Sequence, residues 1–258
     1  MAQVFGVDAF TQTMFRGNPA GVVLLDRPAD PGWMQLVATE LSYPATAFVD
    51  LSRTDGAPKG LRWFSPTTEL TLCGHATLAS AHILGGNQLF DTQSGTLSCS
   101  AGPDGAISMK FPVDPVCPEP PSVELQTGLA DVTMRSIWRG RMDVLVVVAS
   151  AAEVRGLRPD LRALADVAAR AVIVSAPGDG DADIVSRVFA PSVGIGEDAV
   201  TGSAHCTLAD FWCERLGSSE LIAEQASPRG GLVRVRLGDD GVVLTGDAVT
   251  VTSGELHD

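Results

Sequence analysis

The sequence predicts an α+β fold of two similar domains, each with strands wrapped around one apolar helix. The first observation is a repeat: Arg62-Trp-Phe-Ser-Pro66 recurs as Arg187-Val-Phe-Ala-Pro191, about half of the 258-residue chain later. The second is that each copy leads to a glycine, Gly74 or Gly202, that opens an apolar helical pattern. Two copies this far apart are typical of a duplicated domain and not of a solenoid. We therefore expect an active site in the cleft that the two domains share.

Composition indicates a folded protein and excludes several classes of partner. Apolar residues make up 45% of the chain and charged residues 19%, which is ample for buried cores. The net charge of -13 repels polyanions, so we expect neither nucleic acid nor an anionic membrane as a partner. Apolar runs fall short of the ~18 residues that a membrane span needs, and the N-terminus lacks a signal-peptide pattern. These features predict a cytoplasmic protein.

The cysteines and histidines show no disulfide or metal-ligand pattern. The chain has 5 cysteines, an odd number without close pairs, which predicts reduced thiols. Its 4 histidines lack a ligand spacing such as H-E-x-x-H. We therefore expect no bound metal.

The hydrophobic pattern of the first half predicts strands on both sides of the repeated helix. Strands are expected at residues 3–8, 20–25, 47–49, 60–64, around 96 and at 107–111. A helix is expected over residues 31–41, with its apolar face formed by Trp33, Leu36, Val37 and Leu41. The helix that starts at Gly74 carries no Asp, Glu, Lys or Arg as far as Leu84, which predicts that it is buried.

A proline-rich stretch separates the two halves. Prolines at positions 112, 115, 118, 120 and 121 disfavour both a helix and a ladder, so we expect a linker between domains of residues 1–115 and 116–258. The second half is predicted to hold strands at 143–148, 171–175, 183–189, 232–237 and 241–244, and helices over about 160–170 and 202–216. Its last two strands are expected to close the second sheet.

The two helix starts carry the candidate chemistry. A helix N-terminus presents unpaired backbone N–H groups and a partial positive charge, and a glycine lets a ligand approach that backbone. Starts at Gly74 and Gly202 are therefore suited to a small carboxylate-bearing molecule. The alternative is that each glycine only permits a tight turn. The polar neighbours His75, Asp198 and Ser203 favour ligand binding.

Five segments carry a resemblance to a known family. They are Phe15–Leu25, Arg62–Pro66, Leu72-Cys-Gly-His-Ala-Thr-Leu78, Glu197-Asp-Ala-Val-Thr-Gly-Ser-Ala-His205 and Gln225-Ala-Ser-Pro-Arg-Gly-Gly231. Together they span nearly the whole chain, which resembles the PhzF-like isomerases of phenazine biosynthesis. The resemblance implies a diaminopimelate epimerase-like fold, in which each domain is a curled, mostly antiparallel sheet around a central helix and the active site lies between the domains. It also implies an isomerase that needs no cofactor and forms a homodimer.

The resemblance assigns site residues one at a time. The family's active-site histidine, aspartate and serine fall on His75, Asp198 and Ser203, and its substrate-facing glycines fall on Gly74 and Gly202. Thr201, which precedes Gly202, is expected to contact the substrate as well. The family's acid/base glutamate falls on Ala45, which cannot transfer a proton. For Tyr43, two residues before Ala45, the alternatives are a substrate contact and simple packing.

Three side chains remain that could transfer a proton: His75, Asp198 and Cys73. A helix start favours a neutral imidazole at His75 and a thiolate at Cys73. Asp198 is either a base or a counter-charge for a substrate amine. Cys73 aligns with the first catalytic cysteine of diaminopimelate epimerase, but the second falls on Ala199, which disfavours a two-thiol racemase. The alternatives are that Cys73 only fills space and that His75 only binds substrate or caps the helix.

Two functions remain open at this point. One is an isomerase that shifts a proton and a double bond in a small carboxylate derived from an amino acid, in a secondary-metabolite pathway. The other is a catalytically silent relative that only binds such a molecule or a protein partner. Hydrolysis through Ser203 is disfavoured because a G-x-S-x-G elbow and an adjacent histidine base are missing. Arg62 and Arg187 recur in both halves, which favours a structural role in each sheet.

Overall fold

The chain forms two compact units, and its C-terminal segment belongs to the first. A computed structural model describes residues 2–52 and 56–257. The first unit comprises the residues up to Lys110 together with those from Thr245 onward, and the second comprises Phe111–Leu244. The predicted second domain, residues 116–258, is therefore corrected at its C-terminal end. The reason is that the last strand, β18 (Ala248–Leu256), pairs antiparallel with the first, β1 (Ala2–Ala9).

The first unit is a mixed sheet around a central helix. Its further strands are β2 (Asn18–Leu25), β3 (Ala45–Asp50), β4 (Lys59–Phe64), β5 (Glu69–Leu70), β6 (Gln88–Thr92), β7 (Gly95–Ala101) and β8 (Ile107–Phe111), and its helices are α1 (Pro31–Leu41) and α2 (Gly74–Leu84). The sheet order is β18-β1-β2-β3-β4-β6-β7-β8, with β5 beside β4. The pairs β2–β3 and β4–β6 are parallel, and the other pairs are antiparallel.

The second unit repeats this plan. Its elements are β9 (Cys117–Pro118), α3 (Val123–Gly128), β10 (Ser136–Arg139), β11 (Asp143–Val147), α4 (Ala151–Gly156), α5 (Leu161–Ala165), β12 (Ala171–Pro177), β13 (Ile184–Ala190), β14 (Ile195–Asp198), α6 (Gly202–Leu216), β15 (Glu220–Gln225), β16 (Gly231–Gly238) and β17 (Gly241–Gly246). Strands β10-β11-β12-β13-β15-β16 have the order and the directions of β1-β2-β3-β4-β6-β7. The duplication seen in the sequence is therefore also a duplication of topology.

A helix without a charged face lies at the centre of the first unit. Helix α2 packs against β1, β2 and β3, and residues 76–81 are buried throughout. In the second unit α6 packs against β11, β15 and β16. The opposite faces of the sheets are covered by α1 in the first unit and by α4 and α5 in the second. Within the described ranges, no helix has both the length and the apolar character needed to cross a bilayer.

Helices α1, α2 and α6 match their predicted bounds, but the buried face of α1 differs from the prediction. Met34 and Ala38 are its buried residues, whereas Leu36 is 71% exposed and Trp33 lies at the edge of the core. The reason is that Met34 and Ala38 pack on Val23, Phe48 and Phe64 of the sheet, while Val37 and Leu41 only flank that cluster.

The predicted helix over 160–170 is shorter, and the proline-rich stretch is partly ordered. Helix α5 is capped by the side chain of Asp160 and ends at Ala165. It does not continue to Arg170, because the N–H of Arg170 donates to the carbonyl of Met142, the residue before β11, and not to a helix carbonyl. The predicted linker contains the short strand β9, which pairs with β10.

Candidate active site

The start of α2 brings a thiol and an imidazole together. Cys73 is the N-cap residue, yet its side chain does not cap the helix. Its Sγ lies 3.5 Å from Nδ1 of the half-buried His75, and Cys73 itself is only 7% exposed. The Cys73 carbonyl accepts a 2.7 Å hydrogen bond from Thr77 Oγ1, which anchors this turn. The sulfur also lies 3.9 Å from Nε2, so the thiol contacts the imidazole ring at both of its nitrogens. Gly74 lies between them, so the structure places all three predicted residues at one helix start.

Ala45 opens β3 and faces the central helix. It lies opposite Ala20 of β2 and is fully buried. Its neighbours Thr46 and Phe48 project to the face that α1 covers, since Phe48 belongs to the cluster around Met34 and Ala38. Because side chains alternate along a strand, Ala45 projects to the other face, the side of α2. The methyl group of Ala45 therefore projects toward α2.

Tyr43 lies on the opposite face of the sheet from Ala45. A Cβ added at Gly6 would lie 2.2 Å from Tyr43 Oη, and one added at Gly21 would lie 3.0 Å from Tyr43 Cδ2. Gly6 and Gly21 are paired in register on β1 and β2, so the tyrosine ring lies across two glycines. A Cβ added at Gly21 would also lie 2.9 Å from Thr46 Oγ1, so Tyr43 and Thr46 lie on the same face of the sheet. This position gives the Tyr43 ring packing contacts with β1 and β2, and its substrate contact stays a prediction.

Gly6→Ala is expected to lower the free energy of unfolding by about 1–3 kcal/mol, as overpacking does. The new methyl group would meet Tyr43 Oη at 2.2 Å and Thr252 Oγ1 at 2.5 Å. Urea unfolding measures the loss, and adding Tyr43→Phe should recover part of it. Gly156→Ala is the matched control, because a Cβ there meets nothing within 4 Å. A Gly6→Ala protein as stable as the control would contradict the packing.

The loop before α6 is held by a network around Asp198. Thr201 Oγ1 donates a 2.6 Å hydrogen bond to Asp198 Oδ2. The buried Gln225 accepts from the Thr201 N–H at 2.7 Å and donates to the Asp198 carbonyl at 2.8 Å. These bonds orient the Asp198 carboxylate through Thr201, and the substrate contact expected of Thr201 stays a prediction. Gln225 opens one of the family-like motifs, but the sequence alone predicted no role for it.

Ser203, in the first turn of α6, contacts an arginine that sequence reasoning missed. Arg170 Nη2 donates to Ser203 Oγ at 2.9 Å, and Arg170 Nε donates to Asp143 Oδ1 at 2.8 Å. Asp143 is only 2% exposed and is bound by Nη2 as well. Asp198 also contributes to the electrostatic environment of Arg170. The second helix start therefore combines Asp198, Gly202 and Ser203 with a fixed cation.

His205, one turn into α6, is fully buried and neutral. Its Nδ1 lies 2.8 Å from the Thr201 carbonyl, so Nδ1 carries the proton. In the first unit Thr77 donates to the carbonyl of Cys73 in the same way, so the repeat keeps this hydrogen bond with a different residue. Burial lowers the pKa of His205 to about 4. Its place one turn into the helix gives it a structural role.

His205 is expected to make the protein less stable as the pH falls from about 6.5 to about 4. In that window the unfolded chain binds a proton at His205 and the folded chain does not, so protonation favours unfolding. The loss over the window is of the order of 3 kcal/mol.

Urea unfolding at a series of pH values measures the slope, and His205→Thr, which copies Thr77 of the first unit, should flatten it. The half-buried His82, whose pKa burial also lowers, contributes to the same slope, so His82→Ala is measured alongside. An unchanged slope in His205→Thr would contradict the assignment.

The repeated arginines form ion pairs within their own sheets, as their recurrence in both halves predicts. Arg62 binds Glu69 through two hydrogen bonds of 2.7 and 2.8 Å, and Arg187 binds Glu197 with the same two distances. Each guanidinium also lies over the phenylalanine two residues later in its strand. Glu69 therefore has a structural role in its ion pair with Arg62. Across residues 2–52 and 56–257, groups of three or more His, Cys, Asp or Glu side chains arranged to hold a metal are absent.

Two units with the same strand order, each wrapped around a central helix, define a duplicated α+β fold. A hydroxyproline epimerase from Agrobacterium vitis shares the fold, with a TM-score of 0.61 at 12% identity over 98% of this chain and 91% of that one. The diaminopimelate epimerase-like fold implied by the sequence is thus confirmed.

The chain belongs to the phenazine biosynthesis-like protein family, whose model matches residues 7–254. An uncharacterized isomerase of Halalkalibacterium halodurans is 42% identical over 265 aligned residues, covering 98% of this chain and 97% of that protein. A PhzF-family crystal structure from Enterococcus faecalis has a TM-score of 0.94 at 34% identity, covering 99% of both chains. The resemblance seen in the sequence is confirmed, and the family includes proteins named as isomerases.

Proposed function

We propose that this protein is a cofactor-independent isomerase that moves a proton, and with it a double bond, in a small carboxylate-bearing metabolite derived from an amino acid. The observation that carries the proposal is the 3.5 Å contact between Cys73 Sγ and His75 Nδ1 at the start of α2. This pair retains proton-transfer capacity although Ala45 replaces the family's glutamate. A secondary-metabolite pathway is part of the proposal.

In the proposed reaction His75 accepts the proton that leaves a substrate carbon. The electron pair of that C–H bond forms a new double bond, the old double bond opens, and a proton is delivered to its far carbon. The protonated imidazole supplies that proton, so the enzyme returns to its starting state without any oxidant or reductant. If Asp198 supplies it instead, the imidazole releases its proton to water and Asp198 takes one from water before the next turnover. The Cys73 thiol adjusts the basicity of the imidazole through its hydrogen bond.

Backbone and hydroxyl donors hold the substrate in this proposal. In the first unit the N–H groups at Gly74, and in the second unit those at Gly202 with the hydroxyl of Ser203, are donors suited to a carboxylate and to the charge that develops when the C–H bond breaks. Asp198, oriented by Thr201 at 2.6 Å, either binds a substrate amine or takes part in proton transfer. A substrate whose C–H bond is acidified by a conjugated diene or imine suits a base weaker than glutamate.

The second candidate function is a catalytically silent binding protein. The observation that favours it is Ala45, because the loss of a positioned acid/base group typically costs about 10²- to 10⁴-fold in rate. Such a protein would keep the anion-binding helix starts and bind small acids without exchanging their protons.

Proton NMR in D₂O tests the proposal against this alternative. The protein is mixed with α-amino acids, cyclic imino acids including trans-4-hydroxy-L-proline, and conjugated diene acids. The hydroxyproline epimerase of similar fold was solved with trans-4-hydroxy-L-proline bound, which is the reason to include that compound. Deuterium that appears at one carbon of one compound supports the isomerase. Thermal stabilisation by several of these acids, with no exchange in any of them, supports the binding protein.

The proposal also includes a cytoplasmic homodimer that binds neither metal nor nucleic acid. The odd number of cysteines, 5, favours a reducing compartment, and dimerisation follows from the family resemblance alone. Analytical ultracentrifugation at micromolar concentration would show a mass near twice 26.9 kDa if it is correct.

A further inference from the structure

Arg170 is a charged group at the start of α6 that the proposed reaction does not yet use. Its side chain is 32% exposed, while its partner Asp143 is 2% exposed. Two hydrogen bonds join it to that carboxylate, and a third, of 2.9 Å, joins its Nη2 to Ser203 Oγ. The arginine therefore links a buried anion to the serine that is proposed to bind substrate.

The backbone of Arg170 is fixed as firmly as its side chain. Its N–H donates to the Met142 carbonyl at 2.7 Å, and its own carbonyl accepts from Ser192 Oγ at 3.0 Å. Rotation of the guanidinium away from Ser203 would break the paired bonds to Asp143 and leave a buried carboxylate without its partner, which is costly. The contact with Ser203 is thus held in place before any ligand arrives.

The direction of the Ser203 contact follows from chemistry. A guanidinium has N–H donors and no acceptor, so the oxygen of Ser203 must accept this hydrogen bond. The hydroxyl hydrogen of Ser203 then remains to be donated elsewhere. A serine held in this way is a hydrogen-bond donor to any ligand at the helix start, and it favours a ligand with acceptor oxygens.

The internal repeat gives this position a counterpart in the first unit. Phe48 pairs with Arg62 and Val174 pairs with Arg187, so the registers align Ala171 with Ala45. Arg170 therefore directly precedes the counterpart of the position where the family's glutamate is expected. In the second unit the side chain of Arg170, next to the start of β12, reaches Ser203 in the first turn of α6.

We propose that Arg170 is a positioning residue that, held by Asp143, makes Ser203 a hydrogen-bond donor and selects a carboxylate at the start of α6. This inference rests on the proposed function for the identity of the ligand group, but it concerns binding alone. It adds to the proposed binding site a residue that the family motifs did not indicate.

Titration of the ¹⁵N-labelled protein with acetate, and with acetamide as the uncharged control, tests this inference through the amide signals of Gly202 and Ser203. The compared proteins are wild type, Ser203→Ala, the pair Arg170→Met with Asp143→Leu, and the triple variant. The paired change removes both charges, so no lone buried carboxylate remains. If the paired variant does not fold, Arg170→Gln with Asp143→Asn replaces it under the same criterion.

Acetate is expected to shift both amides, and acetamide is not. Ser203→Ala and the paired variant should each weaken acetate binding about tenfold, and the triple variant should be no weaker than either, because the arginine acts through the serine. Full acetate affinity in the paired variant, additive losses in the triple variant, or no acetate response in the wild type would each overturn the inference. Deuterium exchange is not involved, so a failed exchange assay with intact acetate binding counts against the isomerase alone.

Discussion

His75→Ala is expected to reduce the rate of substrate C–H exchange by about 10²- to 10⁴-fold, the usual cost of losing a general base. The imidazole lies 3.5 Å from the Cys73 thiol at the start of α2, and alanine removes the base while the helix remains. The measurement is the rate of deuterium incorporation in D₂O by NMR, with the compound that the wild type exchanges. Asp198→Asn should cause a loss in the same range if the carboxylate carries charge or a proton in the reaction.

His82→Ala is the matched control for this prediction. His82 lies in the last turn of the same helix and bonds Thr250 Oγ1 at 3.1 Å, away from the helix start. Its replacement should leave the exchange rate within about twofold. Cys73→Ala should shift the pH dependence of exchange, because the thiol is proposed to adjust the imidazole. Exchange at the wild-type rate in His75→Ala would remove histidine from the mechanism.

Glu197→Gln is expected to destabilise the protein by about 3–5 kcal/mol, because it leaves a largely buried guanidinium without its charged partner. Arg187 and Glu197 are only 11% and 18% exposed, and Arg187 Nη1 also donates to the buried Leu157 carbonyl at 2.6 Å. Urea unfolding gives the change in the free energy of unfolding.

The repeat supplies a matched control in Glu69→Gln. The pair Arg62–Glu69 has the same bidentate geometry, but its members are 32% and 27% exposed. Solvent screens this pair more, so its loss should cost about 1 kcal/mol or less. Equal losses in the two variants would contradict the view that burial makes the second pair the more important one.

The parts of the fold that follow local or repeated patterns could be predicted from the sequence. Helices α1, α2 and α6 have the predicted bounds because apolar periodicity and glycine or proline at their ends are local signals. The two-unit plan was visible because the motif around Arg62 recurs around Arg187. The predicted His75, Asp198 and Ser203 do lie at or next to helix starts.

The parts that depend on distant pairing could not be predicted. Strand β18 joins β1 across almost the whole chain, so its place in the first unit has no local signal. The Arg170–Asp143 pair spans 27 residues and becomes evident only when β11 and β12 lie side by side. Tyr43 is close to Ala45 in sequence, but its ring lies over glycines of β1 and β2, a packing that only the folded sheet reveals.

The most direct test of the central claim is a comparison of wild type with Ala45→Glu in the D₂O exchange assay on the same set of acids. The claim is that this chain transfers protons without the family's glutamate. It predicts that the wild type exchanges one C–H position of one compound, and that the exchange depends on His75. No exchange by the wild type together with exchange by Ala45→Glu would contradict the claim, because it would show an intact binding site that lacks only its acid/base group.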